Sequence, residues 1–164
     1  MRKLTLKLSV LTVLALAFIA TASANADSLV LTLSNPVQNG APGSTLDFTA
    51  TALAPSTNGA TVFLAGDSSN VDFPLTIDDN GFFNNFPFTL DPGDSFTGLL
   101  FTVTLPSDTP LGSYTGFFSI QDDSGAILGT ANFQVNATPE PGTLVLFATG
   151  LSGLSMVVRR RRSV

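Results

Sequence analysis

The chain has 164 residues, 12 acidic and 7 basic, for a net charge of −5, and it contains neither cysteine nor histidine. Without cysteine there is no disulfide, thiolate nucleophile or thiolate metal site; without histidine, Ser-His-Asp chemistry and His-ligated zinc are excluded. All seven basic residues lie in the first ten or the last six positions, so residues 27–138 carry eleven aspartates, no Lys or Arg, and a charge near −11. Such a surface repels nucleic acid, and it has no partners for salt bridges.

The N-terminus has the order of a secretory signal. Arg2, Lys3 and Lys7 precede an apolar run from Leu8 to Ala20. Ala24 and Ala26 then supply the small residues of a signal-peptidase site, with Asp27 as first mature residue.

From Asp27 the grammar is β: runs rich in Phe and β-branched residues, separated by Pro, Gly, Asn and Asp. Leu29–Leu33 is the first expected strand. In the next, Leu46, Phe48, Ala50 and Ala52 share a face opposite Asp47, Thr49 and Thr51. A third is expected over Thr61–Ala65, after which Asp67 to Asp72 reads as a loop. Two more, Asp72–Ile77 and Phe82–Leu90 with Phe86, Phe88 and Leu90 aligned, are expected about an Asp79-Asn80-Gly81 turn.

Beyond Asp91-Pro92-Gly93, Leu99, Phe101, Val103 and Leu105 alternate with Gly98, Leu100, Thr102 and Thr104. Tyr114, Gly116, Phe118 and Ile120 then share a face. In the last strand Ile127, Gly129, Ala131, Phe133 and Val135 are expected on the core side. About seven short strands with period-two alternation predict an all-β fold, a single antiparallel sandwich over residues 27–137. Tyr114, the only tyrosine, stands at the start of the penultimate strand after a Pro-containing corner, where Greek-key sandwiches place a tyrosine corner. The domain resembles bacterial immunoglobulin-like or fibronectin-like modules, without their Cys pair or core Trp; the resemblance concerns fold alone.

Two acidic turns invite a functional reading. Asp78-Asp79-Asn80-Gly81 and Asp122-Asp123-Ser124-Gly125 offer the hard oxygen ligands that Ca²⁺ takes, and they equally fit hairpin turns. Neither has EF-hand spacing. No cofactor is expected beyond weak calcium uptake by Asp78, Asp79, Asp122, Asp123 and the summed charge. No spacing selects a catalytic pair of carboxylates, so no enzymatic activity is expected.

The tail, residues 138–164, has three parts in order: Pro139-Glu140-Pro141, an uncharged stretch over 143–158, and Arg159, Arg160, Arg161 and Arg162. Those 16 uncharged residues would reach about 24 Å as a helix, short of the roughly 30 Å hydrocarbon core unless the arginines snorkel to the headgroups. The positive-inside rule keeps the arginines cytoplasmic and the domain on the far side. The prolines hold the motif extended outside the bilayer.

This order resembles the PEP-CTERM sorting signal of exported bacterial proteins, over about 27 of the 164 residues. The resemblance implies recognition of Pro139, Glu140 and Pro141 by exosortase, a stop-transfer role for Arg159–Arg162, removal of the tail, and delivery to the surface or a polysaccharide matrix. The expected partners are signal peptidase, exosortase, the inner membrane in transit and extracellular polysaccharide, with no nucleic acid. The overall expectation is an exported, non-enzymatic surface or biofilm-matrix protein. The alternative is a small secreted carbohydrate- or Ca-binding sandwich module.

Overall fold

The computed structural model describes residues 27–139, 142 and 145–151. Two four-stranded sheets face each other across one apolar core. The first has the order β1-β3-β8-β6, from Val30–Leu33, Thr45–Leu53, Ser95–Thr104 and Thr76–Asp78. The second has the order β2-β10-β9-β5, from Val37–Gly40, Ile127–Ala137, Gly112–Gln121 and Gly66–Val71. A short ladder of β4 (Val62–Phe63) with β7 (Thr89–Leu90) and one helix, α1 (Asn80–Asn85), complete the domain.

All pairings are antiparallel except that of β2 with β10. The first strand region thus divides between sheets, β1 joining β3 and β2 joining the last strand. The first order matches the ABED sheet of an immunoglobulin constant domain, and the second matches its CFG sheet with one strand, β2, added in parallel beside the last.

Phenylalanines from both sheets fill the centre. Phe101 stacks on Phe48 at 4.8 Å and on Phe118 at 5.0 Å, and Phe133 lies tilted against Phe48 and Phe101. Tyr114 sits half-buried at the start of β9, and its hydroxyl donates to the Pro110 carbonyl oxygen at 2.8 Å. This is the tyrosine-corner bond, tying the incoming loop to the strand it feeds.

Four expectations require correction. First, residues 80–85 form a helix, where a hairpin turn and the start of a strand were expected. The sequence Asn-Gly-Phe-Phe-Asn-Asn is a poor helix former, so packing holds the turn together. Phe82 and Phe86, four apart, are both buried, and the Asn85 side chain donates to Gly81 O at 2.7 Å and Leu99 O at 3.3 Å. The strand β6 pairs only with Thr102–Thr104 of β8, and α1 covers the stretch of β8 beyond it. Phe88, expected to align with Phe86 and Leu90, is instead 80% exposed.

Second, β8 carries a bulge. Phe48 pairs with Phe101 while Thr49 pairs with Leu99, leaving Leu100 as the extra residue, fully buried. Leu100 and Phe101 both serve the core and Leu99 does not, because one inserted residue inverts the alternation. Third, the register shift between Ile127 and Gly129 buries Leu128 and leaves Ile127 62% exposed. Fourth, most of the stretch from Asp67 to Asp72, read as a loop, belongs to β5, which is paired along its length with β9.

Candidate functional site

Three regions of the described residues bear on function: the root of the tail, the aspartate loops, and the outer face of the β2-β10-β9-β5 sheet.

The tail leaves the sandwich without a linker. The strand β10 ends at Ala137, and the Thr138 amide donates to Gly40 O at 2.9 Å. Pro139, exposed, has no N–H with which to extend the ladder, so the motif begins where the pairing stops. Residues 145–151 are helical, with Val145, Leu146, Phe147 and Leu151 exposed. Thr149 bonds back to the carbonyls of Val145 and Leu146, so its polar group is satisfied inside the helix. Among the described residues no helix is long and apolar enough to cross a membrane. The expected span over 143–158 lies partly outside the described residues. Glu140, Pro141, Arg159–Arg162, Ala24 and Ala26 lie wholly outside them. Asp27, the expected mature N-terminus, is described, and its carboxylate accepts from the Gly59 amide at 3.0 Å.

The aspartates bond to turns and strand ends. Asp78 accepts from the Asn80 amide at 2.9 Å at the entrance to α1. One oxygen of Asp122 accepts from the Ser124 hydroxyl, the Ser124 amide and the Ala126 amide at 2.7–2.8 Å. Its pKa is held below the ordinary value, chiefly by the Ser124 side chain. Asp72 is likewise lowered, by the backbone amide and then the hydroxyl of Thr115. Asp79 supplies no side-chain cap to α1. Among the described residues no three acidic groups gather where they could hold a metal ion.

Asp67 behaves oppositely: partial burial, then the neighbouring Asp79 carboxylate, raise its pKa. A carboxyl that holds its proton more tightly when folded makes stability fall as pH rises from the ordinary aspartate range through the raised value. Asp67→Asn is therefore expected to raise the melting temperature at neutral pH, with the gain shrinking towards pH 3. Melting curves across that range check it, and an equal gain at both ends would refute the assignment.

The outer face of the β2-β10-β9-β5 sheet holds a groove of about 580 Å³. Register sets its side chains in rows across the strands. Val37, Gln134, Thr115 and Asp72 form one row, and Asn132, Phe117 and Asn70 form the next. Beside them, Asn136 accepts from Gln134 at 2.8 Å and Ser113 at 3.1 Å, and donates to Asn39 at 3.1 Å. Phe117 is 36% exposed in the middle of the face. In the sequence Asn70 and Asp72 stand out only as oxygen-bearing residues of a loop and Asn136 only as the first letter of a glycosylation sequon; nothing there joins them to Phe117, Asn132 or Gln134. The available signal was Asn132, Gln134 and Asn136, three amides at period two on β10 opposite its apolar positions.

Residues 137–162 match the family model of the PEP-CTERM protein-sorting motif. The tail is thus a PEP-CTERM sorting signal, which implies processing by exosortase. No curated protein matches the chain. Among solved structures, the domain is similar to a family 123 glycoside hydrolase from Clostridium perfringens, at 9% identity and a TM-score of 0.48, over 68% of this chain and 27% of that one. A mutant of the SrpA adhesin from Streptococcus sanguinis is similar at 13% identity and TM-score 0.45, over 73% of this chain and 62% of that one. A type I cohesin from Pseudobacteroides cellulosolvens gives 12% identity and TM-score 0.32, over 68% of this chain and 93% of that one. The chain therefore spans about a quarter and under two thirds of the first two proteins.

Proposed function

We propose that this chain is an exported, non-enzymatic protein of the cell surface or extracellular matrix, built on one immunoglobulin-like sandwich. The observation that carries the reading is the PEP-CTERM sorting motif over residues 137–162, which begins at the last residue of the last strand. On this reading, signal peptidase cuts before Asp27 and the tail holds the domain against the outer side of the inner membrane. Four residues separate Thr138 from Thr143, a span of at most about 17 Å when extended, so the cleavage motif stays near the bilayer, within reach of a membrane-embedded exosortase. Cleavage releases the sandwich towards the surface or a biofilm polysaccharide layer.

Retention of fold after tail removal fits this route. The described helical residues 145–151 add nothing to the core, which is closed by β10 and its Thr138 bond to Gly40. The role of the released domain is structural or adhesive. A second reading, a carbohydrate-binding module, is favoured by the groove on the outer sheet face.

Intact mass spectrometry of the protein recovered from its native host tests the sorting reading. The expected product begins at Asp27 and ends near Pro139, with any added mass reporting glycosylation or transfer to a carrier. A product that retains Arg159–Arg162 would overturn it in favour of a resident membrane anchor.

A further inference from the structure

We infer that the groove on the outer face of the β2-β10-β9-β5 sheet is a binding site for a neutral polysaccharide chain, with Phe117 as its stacking platform. The inference deepens the surface-and-matrix reading by naming what the domain would hold there.

Four observations converge on this class of ligand. The first is the chemistry of the lining. Asn70, Asn132 and Gln134 present amides around the half-exposed Phe117 ring. An amide offers donor and acceptor side by side, matching neighbouring hydroxyls on a sugar. A pyranose has polar edges and an apolar C–H face, the complement of an aromatic ring ringed by amides.

The second is that the hydrogen-bonding capacity is unspent. The side chains of Asn70 and Asn132 have no hydrogen-bond partner among the described residues. The neighbouring Asn39, Asn136, Gln134 and Ser113 are bonded to one another, which fixes the row beside them in advance. Pre-fixed groups lose little freedom on binding.

The third is charge. Among the described residues that line the groove, Asp72 is the only ionisable one, and its carboxylate is committed to Thr115. With no Lys or Arg anywhere in residues 27–138, an anionic glycan finds repulsion and no counter-charge, so the ligand is neutral.

The fourth is geometry. The groove lies across a face whose backbone groups are already paired from β2 through β5, so a peptide could not dock here by adding a strand. Recognition must come from side chains alone. Four strands span about 14 Å, the reach of a short oligosaccharide, and the volume of about 580 Å³ lies within the range of ligand clefts.

The test uses the full chain in a sugar-free zwitterionic detergent, titrated calorimetrically with linear gluco-, manno- and galacto-oligosaccharides and with oligogalacturonate. At least one neutral series is expected to bind with a stoichiometry of one, and oligogalacturonate to bind at least about tenfold more weakly. Phe117→Ala is expected to weaken the neutral ligand by roughly tenfold or more at an unchanged melting temperature. Should that variant fail to fold, Asn132→Ala, which breaks no bond of the fold, replaces it with an expected loss of a few fold. No binding by any neutral series, equal binding of oligogalacturonate, or binding indifferent to both substitutions would overturn the assignment. The titration is made on unprocessed chain, so its failure leaves the sorting reading standing, and a failed mass measurement leaves the groove standing.

Discussion

Phe118→Ala is expected to destabilise the domain by about 3–5 kcal/mol, measured by chemical denaturation. Phe118 is fully buried in β9. Its ring stacks on Phe101 at 5.0 Å with planes only 4° apart, and meets Phe82 of α1 edge-on at 6.1 Å. Truncation would remove the transfer energy of the ring and leave a void between two sheets and a helix. The β-sheets are held by ladders on either side of it, so little collapse can fill the space. The domain has no charge pairs with which to offset the loss, since no Lys or Arg occurs between residues 27 and 138. A loss under 1 kcal/mol would show that the aromatic cluster does not carry the fold.

Gly81→Ala is expected to destabilise by about 2–4 kcal/mol, although helix propensity alone predicts the opposite sign. In an unconstrained helix, alanine gains about 1 kcal/mol over glycine. Here a Cβ on Gly81 would lie 2.8 Å from Leu100 O and 2.9 Å from Leu100 C. Both are backbone atoms of the bulge in β8, and no side-chain rotation relieves them. The helix would have to lift, withdrawing Phe82 and Phe86 from burial and stretching the Asn85 bonds to Gly81 and Leu99. Denaturant unfolding of the variant decides between the two effects. Stabilisation would mean that α1 does not sit this closely on the bulge.

The distribution of chemistry suits a domain that is handled by its ends. The tail motif follows directly from the bond between Thr138 and Gly40. Asp27, Asp91, Asp94, Asp122 and Asp123 lie in loops at the opposite pole, where β9 ends and β10 begins. Asp67 adds a small penalty at neutral pH, while Asp72 and Asp122 favour the folded state there. Asp72 and Asp122 lose that contribution as pH falls below the ordinary aspartate range.

The sorting signal was legible in the sequence because it is linear: Pro139-Glu140-Pro141, an uncharged run and four arginines are read by adjacency, without a fold to assemble them. The sandwich was legible where alternation is unbroken, as in Phe48, Ala50 and Ala52 of β3 and in Ala131, Phe133 and Val135 of β10. Tyr114 could be placed because the corner it closes is local, reaching four residues back to Pro110. Tertiary packing alone decided the rest. The bulges at Leu100 and Leu128 shift which residues face inward, and a single inserted residue leaves no mark in composition. The helix α1 forms against its propensity because Phe82 and Phe86 find the core, and Gly81 lets the backbone approach the bulge. The groove needs Asn70, Phe117 and Asn132 brought level from three strands, a neighbourhood that only the register of β5, β9 and β10 creates.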